Sequence, residues 1–352
     1  MKILITGISG FAGYQISLKI REYAHNIQVV GLDNLSRKGS EHNISQLCNN
    51  GIELIRGDIR LQSDIDSLPL VDWVIDCAAN PSVLAGNDGQ VSSKQLMEHN
   101  LLGTINLLEY CKKYKAGLIL LSTSRVYSAY DLAKLPVEAL KNRFEIKKSD
   151  CKEISDRGIS EMFPTTSPIS LYGVSKLASE GLALEYSNSF DFPVWINRCG
   201  VLGGAGQFGK ADQGIISFWI HSYKENKPLN YIGFNGTGHQ VRDILHPNDL
   251  LPLLIKQINA ESNCVEKIIN IGGGRENSIS LKELSIWCEK RFGIKKINSS
   301  NEKRSLDAPW IIMDISKARE IWQWEPSTNI NEILDEIANF AEKNPNWLNM
   351  CQ

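Results

Sequence analysis

The chain has 352 residues, with 38 Lys plus Arg against 40 Asp plus Glu, a formal net charge of −2, and hydrophobic and charged fractions of 42% and 22%. A chain of this length has room for about two domains and buries a core without staples. The composition excludes a disordered, collagen-like or small disulfide-stapled protein, and near-neutrality argues against a nucleic-acid binder, which carries a strongly basic face.

Apolar runs alternate with helix-length periodic segments from the start. Ile3-Leu4-Ile5 reads as a short buried strand ended by Gly7, residues 11–24 as a helix, and Val29-Val30-Gly31-Leu32 as a second strand ending at Asp33. Residues 52–56 give a third strand, Trp73-Val74-Ile75-Asp76 a fourth, residues 91–114 a helix with Leu96, Leu107 and Leu108 on its apolar face, and Leu118–Leu121 a further strand. Short continuous apolar strands between helices predict an α/β fold, a doubly wound parallel sheet covered on both faces. Residues 131–168 are polar and read as an insertion or long loop; residues 171–188 are helical and Pro193–Ile196 strand-like. Residues 199–240 carry nine glycines, a density expected of loops that approach a ligand closely. Residues 281–292 and 329–343 read as helices. No Pro/Ser-rich linker divides the chain. The expected organisation is a dinucleotide domain over 1–197 with a return near 240–272, and a substrate domain over 198–239 and 273–352.

Eight cysteines, at 48, 77, 111, 151, 199, 264, 288 and 351, lack C-x-x-C or zinc spacing and read as reduced thiols; no metal is expected. The first residues lack the long apolar stretch of a signal peptide, and no run of 18 apolar residues exists. The expectation is a cytoplasmic protein without a membrane or nucleic-acid partner.

Gly7-Ile8-Ser9-Gly10-Phe11-Ala12-Gly13 follows a strand and opens a helix, with an acid, Asp33, twenty residues beyond Gly13. Glycines there permit a tight turn, close approach of the backbone to a pyrophosphate and close helix–sheet packing; the helix N-terminus favours the phosphates. A carboxylate at the end of the second strand accepts hydrogen bonds from the adenosine ribose and repels a 2′-phosphate. NAD is therefore favoured, with Arg37 near enough in sequence to leave NADP open. Asp58, after the third strand, could meet the adenine amino group, and Ala78-Ala79, after the fourth, let backbone approach the cofactor.

Tyr172-Gly173-Val174-Ser175-Lys176 places a phenol and an ammonium four residues apart on one helical face. A free phenol titrates near pH 10, and a neighbouring cation lowers that value, so Tyr172 can act as a base toward a substrate hydroxyl. Thr123 ends the fifth strand, at the edge where open α/β sheets place ligands, and can bind the same hydroxyl.

In this chain order the Gly7 loop, Asp33, Thr123 and the Tyr172/Lys176 pair resemble a short-chain dehydrogenase/reductase. The whole chain resembles the extended branch of that superfamily, the nucleotide-sugar epimerases and dehydratases; Asn100–Glu109 matches that branch's fourth-helix pattern. The resemblance implies a Rossmann-type sheet, bound NAD, and Asn34, Ser36, Arg37, Ile59 and Asn100 completing the cofactor site. It implies Ser124, Arg125, Asn197, Gln213, Arg242, Arg304 and Asp307 on a CDP- or UDP-sugar, with Arg242 and Arg304 on the diphosphate. His246 is expected to cap structure. Four-helix dimerisation through 91–114 and 171–188 is also implied.

Dehydratases of the branch carry an Asp-Glu pair directly after the catalytic Thr; here Ser124-Arg125 follows, which leaves epimerisation. Asp33–Gly39, Gly57–Arg60, Ala211–Gly214 and Gly238–His246 resemble the CDP-paratose 2-epimerase group, which draws hydride from C2 of a CDP-linked dideoxyhexose. Ser124-Arg125 stands where that group has Asn-Lys. UDP-hexose 4-epimerisation, net NAD(P)-dependent reduction and a non-catalytic dinucleotide sensor remain open at this point.

Overall fold

The structure is a computed structural model that describes residues 1–86, 91–147, 152–211, 213–260, 266–302 and 306–351. Seven strands form one parallel sheet: β1 (Lys2–Thr6), β2 (Gln28–Asp33), β3 (Glu53–Arg56), β4 (Trp73–Asp76), β5 (Gly117–Thr123), β6 (Val194–Cys199) and β7 (Ile268–Ile271), in the spatial order β7-β6-β5-β4-β1-β2-β3. The strands are apolar throughout because both faces are covered. Ile3, Ile5, Ile75, Ile119 and Trp195 point into one core, while Leu4, Val74, Leu118, Leu120 and Ile196 point into the other. This is the side-chain alternation of a pleated strand. Helices α1 (Phe11–Tyr23) and, later in the chain, Leu250–Ile258 bury their apolar stripes on the first face. On the second lie α2 (Gly103–Tyr114), with Leu107, Leu108 and Cys111, and α3 (Leu171–Phe190), with Ala183.

The strand order reverses between β1 and β4, the switch point where such sheets open a crevice at the strands' carboxyl ends. The helix expected over 91–114 is three pieces, Ser93–Met97, a π-turn Glu98–Leu102, and α2. The 131–168 stretch is not a bare loop. It contains a short helix, Ala129–Ala133, at its start and two small antiparallel hairpins, Val137–Ala139 with Phe144–Ile146 and Ile154–Ser155 with Gly158–Ile159. Isolated three- and two-residue strands leave too little periodicity to read.

After β6 the chain builds a smaller mixed sheet. Val241–Leu245 pairs in parallel with Val201–Leu202 and Trp310–Ile311, and antiparallel with Ser278–Ser280. Helices Ile215–Lys224, Leu281–Phe292 and Ile330–Lys343 enclose a separate core around Trp219, Ile244, Leu284 and Ile337. The last two start with complete capping boxes, Ser280/Glu283 and Asn329/Glu332. No helix of the described residues is long and apolar enough to cross a membrane.

Candidate active site

The carboxyl ends of β1, β2, β4, β5 and β6 surround a cavity of about 340 Å³. Its floor is the glycine loop. A Cβ on Gly7 would stand 2.9 Å from the Ala78 backbone, and one on Gly13 only 2.5 Å from the Gly7 carbonyl. Gly7 also has φ +62°, so both bulk and conformation exclude a side chain there. Gly10 is the N-cap of α1 and supplies no capping side chain, so the first-turn N–H groups remain for an anion. Gly7, Gly10, Phe11, Ala12, Ala78 and Ala79 line the cavity; Gly13 lies beneath it.

The Asp33 carboxylate lies in the wall and accepts the Ser9 and Leu35 N–H groups, both at 2.8 Å. Burial raises its pKa, against those hydrogen bonds. Arg37 lines the same end, but its guanidinium donates to the Phe208 carbonyl at 2.5 Å and lies over the Phe208 ring. Asn34, Ser36, Asp58 and Ile59 complete this end. Asp58 is held by Arg60, at 2.9 and 2.6 Å, and by Asn34 at 3.0 Å, and these partners keep its carboxyl well below the usual range. The glycine cradle, the uncapped helix terminus and the ribose-facing carboxylate together fit a dinucleotide with a free 2′-hydroxyl. Among the described residues, no three His, Cys, Asp or Glu side chains converge to hold a metal ion.

At the opposite end stand Thr123, Tyr172 and Lys176, each less than a tenth exposed. Tyr172 is in the first turn of α3, whose N-cap Ser170 accepts the Gly173 N–H at 2.9 Å. The positive end of the helix thus favours a phenolate. Gly173 lets α3 dock against the turn after β5: a Cβ there would stand 2.1 Å from the Arg125 carbonyl. That close approach brings the Tyr172 hydroxyl into a hydrogen bond with Thr123. In the chain alone the Tyr172 pKa stands at about 12, pushed up by burial against the opposing pull of Thr123 and the Arg125 guanidinium. One turn beyond Lys176, Glu180 binds buried Arg198 at 2.7 Å and accepts from Ser122, fixing α3 to β5 and β6. Removing one partner of such a buried pair costs about 3–5 kcal/mol.

A second cavity, about 110 Å³, is lined by Arg125, Gln240, Arg242, Leu306 and Asp307, among others. Arg242 donates to Asp307 at 2.9 Å. Gln213 falls instead in the wall of the larger cavity.

Besides Gly13, three of the residues expected at the site line neither cavity. Asn197 is fully buried, its amide paired with that of Gln257 at 3.0 and 2.8 Å, because this β6 residue faces the Leu250–Ile258 helix rather than the crevice. Asn100 lies behind the cavity, bracing the Asn80 backbone, at 2.8 and 3.1 Å, against Ser175. Ser124 is buried and lines neither cavity. Arg304 lies outside the described residues. His246 caps Pro247–Asp249 and pairs with Glu336 at 2.8 Å. His99, Cys77, Cys199, Gln207 and Phe208 also line the larger cavity; single side chains on loops and strand ends gave no spacing to find them by.

A doubly wound sheet with a glycine cradle at its switch point and a buried Thr/Tyr/Lys set at the far end of the same cavity has the architecture of a dinucleotide-binding protein. Comparison with known proteins narrows that class. Residues 3–272 match the model of the NAD dependent epimerase/dehydratase family, and the chain belongs to that family. It is 30% identical to CDP-paratose 2-epimerase of Salmonella typhi, over 97% of this chain and 99% of that protein. It is 28% identical to a putative UDP-glucose 4-epimerase of Methanocaldococcus jannaschii, over 97% and 99%. The fold matches UDP-glucuronic acid 4-epimerase of Bacillus cereus, solved with UDP-glucuronic acid and NAD, at TM-score 0.77 and 27% identity, covering 97% of this chain and 99% of that one. The protein is an NAD-dependent enzyme of the nucleotide-sugar epimerase/dehydratase class.

Proposed function

We propose that the protein inverts one carbinol of a nucleotide sugar without net redox change, and that the carbinol is C2 of a CDP-linked dideoxyhexose. The observation that carries epimerisation is the pair after Thr123. Ser124 lines neither cavity, and Arg125 is a cation, so no carboxylate follows the catalytic Thr to eliminate water. The Salmonella relative's name supports the CDP sugar and C2.

Bound NAD would supply reversible hydride acceptance at the carbinol carbon, with no net change in its own redox state. The chain's own residues handle the proton. Tyr172 removes it from the hydroxyl and gives it back; Thr123 orients that hydroxyl; Lys176, one helical turn on, lowers the phenol's pKa and holds the nicotinamide ribose. Because burial holds the phenol at about 12 even with Thr123 and Arg125 pulling against it, further stabilisation of the phenolate on binding is a condition of activity near neutral pH. Arg242, steadied by Asp307, holds the diphosphate. A homodimer through residues 91–114 and 171–188 belongs to this reading, with Leu102 and Val174 exposed on those segments.

The test is product NMR with CDP-paratose and NAD. Inversion at C2 is expected with no accumulation of NADH, and Tyr172→Phe should lose about 10²–10⁴-fold in kcat. Stoichiometric NADH turnover would identify a reductase, and a fully active Tyr172→Phe would remove the proposed base. UDP-hexose 4-epimerisation is the second reading, favoured by the names of the archaeal relative and the Bacillus cereus structure.

A further inference from the structure

We propose that Arg125 determines which ring carbon reacts. Together with Arg242 it holds the sugar-proximal phosphate beside Tyr172, which places C2 rather than C4 at the catalytic hydroxyls. This inference rests on the epimerase reading above and adds a residue and a reason for the carbon.

Arg125 is tied to the catalytic centre by its backbone, since its N–H donates to Thr123 Oγ1 at 3.2 Å. Its carbonyl is the surface on which Gly173 packs, directly beside Tyr172. Its side chain reaches the Leu306 carbonyl, to which Nη1 donates at 3.4 Å. There it lines the smaller cavity with Arg242, whose Nη2 is fixed by Asp307 Oδ1 at 2.9 Å. Gln240 Oε1, in the same wall, is buried with no hydrogen-bond partner. One cavity therefore receives two guanidinium groups, and one of them belongs to the residue two places beyond the catalytic threonine. The same guanidinium acts electrostatically on the Tyr172 phenol.

The geometry of a sugar nucleotide turns this placement into a choice of carbon. The diphosphate is attached through oxygen to C1. The C2 hydroxyl is on the adjacent carbon, whereas the C4 hydroxyl lies across the ring. If C4 reacts, the ring separates the phosphate from the phenol, and the phosphate-binding cations need not approach the catalytic threonine. If C2 reacts, a phosphate anion is drawn toward the phenol that must ionise, and its charge opposes that ionisation. A guanidinium between the two offsets this repulsion and grips the phosphate oxygens bidentately. Arg125 has the required position, linked to Thr123 at its backbone and to the Arg242 cavity at its tip.

The experiment uses the full chain with NAD, CDP-paratose and UDP-glucose, and the variants Arg125→Met and Arg125→Lys. Wild type should invert C2 of the CDP sugar and leave C4 of UDP-glucose unchanged. Arg125→Met should raise KM for the CDP sugar about 10-fold or more, the loss of one charged hydrogen-bonding partner. It should also move the ionisation seen in the pH–kcat profile to higher pH. Arg125→Lys should restore most of the pH profile and less of the KM, because it keeps the charge without the fork. NAD affinity and thermal stability should be unchanged in both, which separates the effect from misfolding. C2 inversion with an Arg125→Met variant whose KM and pH profile match wild type would overturn this inference and leave the epimerase reading standing. Inversion at C4 alone would overturn the assignment of the carbon. Failure of the NAD-loaded wild type to epimerise either sugar would overturn the reading on which both rest.

Discussion

The two cavities are built on different principles. The larger is a property of backbone. Its floor is a turn in which Gly7, Gly10 and Gly13 pass within 3.0 Å of other main-chain atoms at the positions their Cβ atoms would occupy. The smaller is a property of side chains brought together from far apart: Arg125 reaches Leu306, 181 residues away, and Arg242 reaches Asp307, 65 residues away. A backbone site is fixed by local spacing and tolerates almost no change. A side-chain site can be retuned one residue at a time, as expected where relatives differ in the sugar named for them.

The sharpest way to break this contrast is Gly13→Ala. The new Cβ would meet the Gly7 carbonyl at 2.5 Å and the Ile8 Cα at 2.8 Å, both main chain and unable to swing away. The turn must open, and every phosphate-facing N–H moves with it. NAD binding measured by calorimetry should weaken by about 100-fold or more, since several charged hydrogen bonds of about 1.5–3 kcal/mol each are lost together. Affinity within a few-fold of wild type would show that the cradle is not rigid. The next effect is smaller and should leave the cofactor untouched. Arg242→Ala should raise KM for the nucleotide sugar about 10- to 100-fold, the equivalent of one charged contact, with NAD affinity unchanged. A parallel loss of NAD affinity would mean that the two cavities are not separable.

The same contrast explains what could be read without coordinates. Six strands of the sheet and the glycine loop were legible because continuous apolar strands, tight turns and strand-end acids are local patterns, whereas β7 was not read as a strand. Tyr172 and Lys176 were legible as one helical turn. The need for Gly173 was not, because its constraint is the Arg125 carbonyl in another element. Glu180 and Arg198, 18 residues apart, form their ion pair only once α3 lies on β6. Asn197 is the instructive case. Its place at the end of β6 pointed to the sugar, but alternation along the strand turns it to the helix side, where Gln257 satisfies it. Asn197→Ala should therefore leave KM for the sugar within about two-fold and lower stability by about 1–3 kcal/mol, the cost of orphaning the Gln257 amide. A large KM change with unaltered stability would return Asn197 to the substrate site.

The smallest expected effect lies at the seam between the two regions, at Asp243. It follows Arg242 in Val241–Leu245, the strand that presents that arginine to the smaller cavity, and it is fully buried. Its Oδ2 accepts the Gly274 N–H at 3.1 Å, just past β7. A Cβ on Gly200 would stand 2.9 Å, and one on Gly272 2.2 Å, from its carboxylate oxygens, so glycine at the ends of β6 and β7 makes room for it. Burial raises its pKa from 3.8 to about 7 despite the main-chain donors around it. Between those values the folded chain therefore holds a proton that the unfolded chain has released. Stability must then fall as pH rises through this window; the carboxyl is protonated in both states below it, and the full penalty is present above it. Denaturant titrations of wild type and Asp243→Asn across pH 4–8 should diverge in this sense, the variant lacking the part of the slope that belongs to this group. Parallel curves would mean that the Asp243 carboxylate is ionised in the fold, held by its main-chain donors. The join between strand and sheet would then be a charged hydrogen-bond cluster instead of a neutral one.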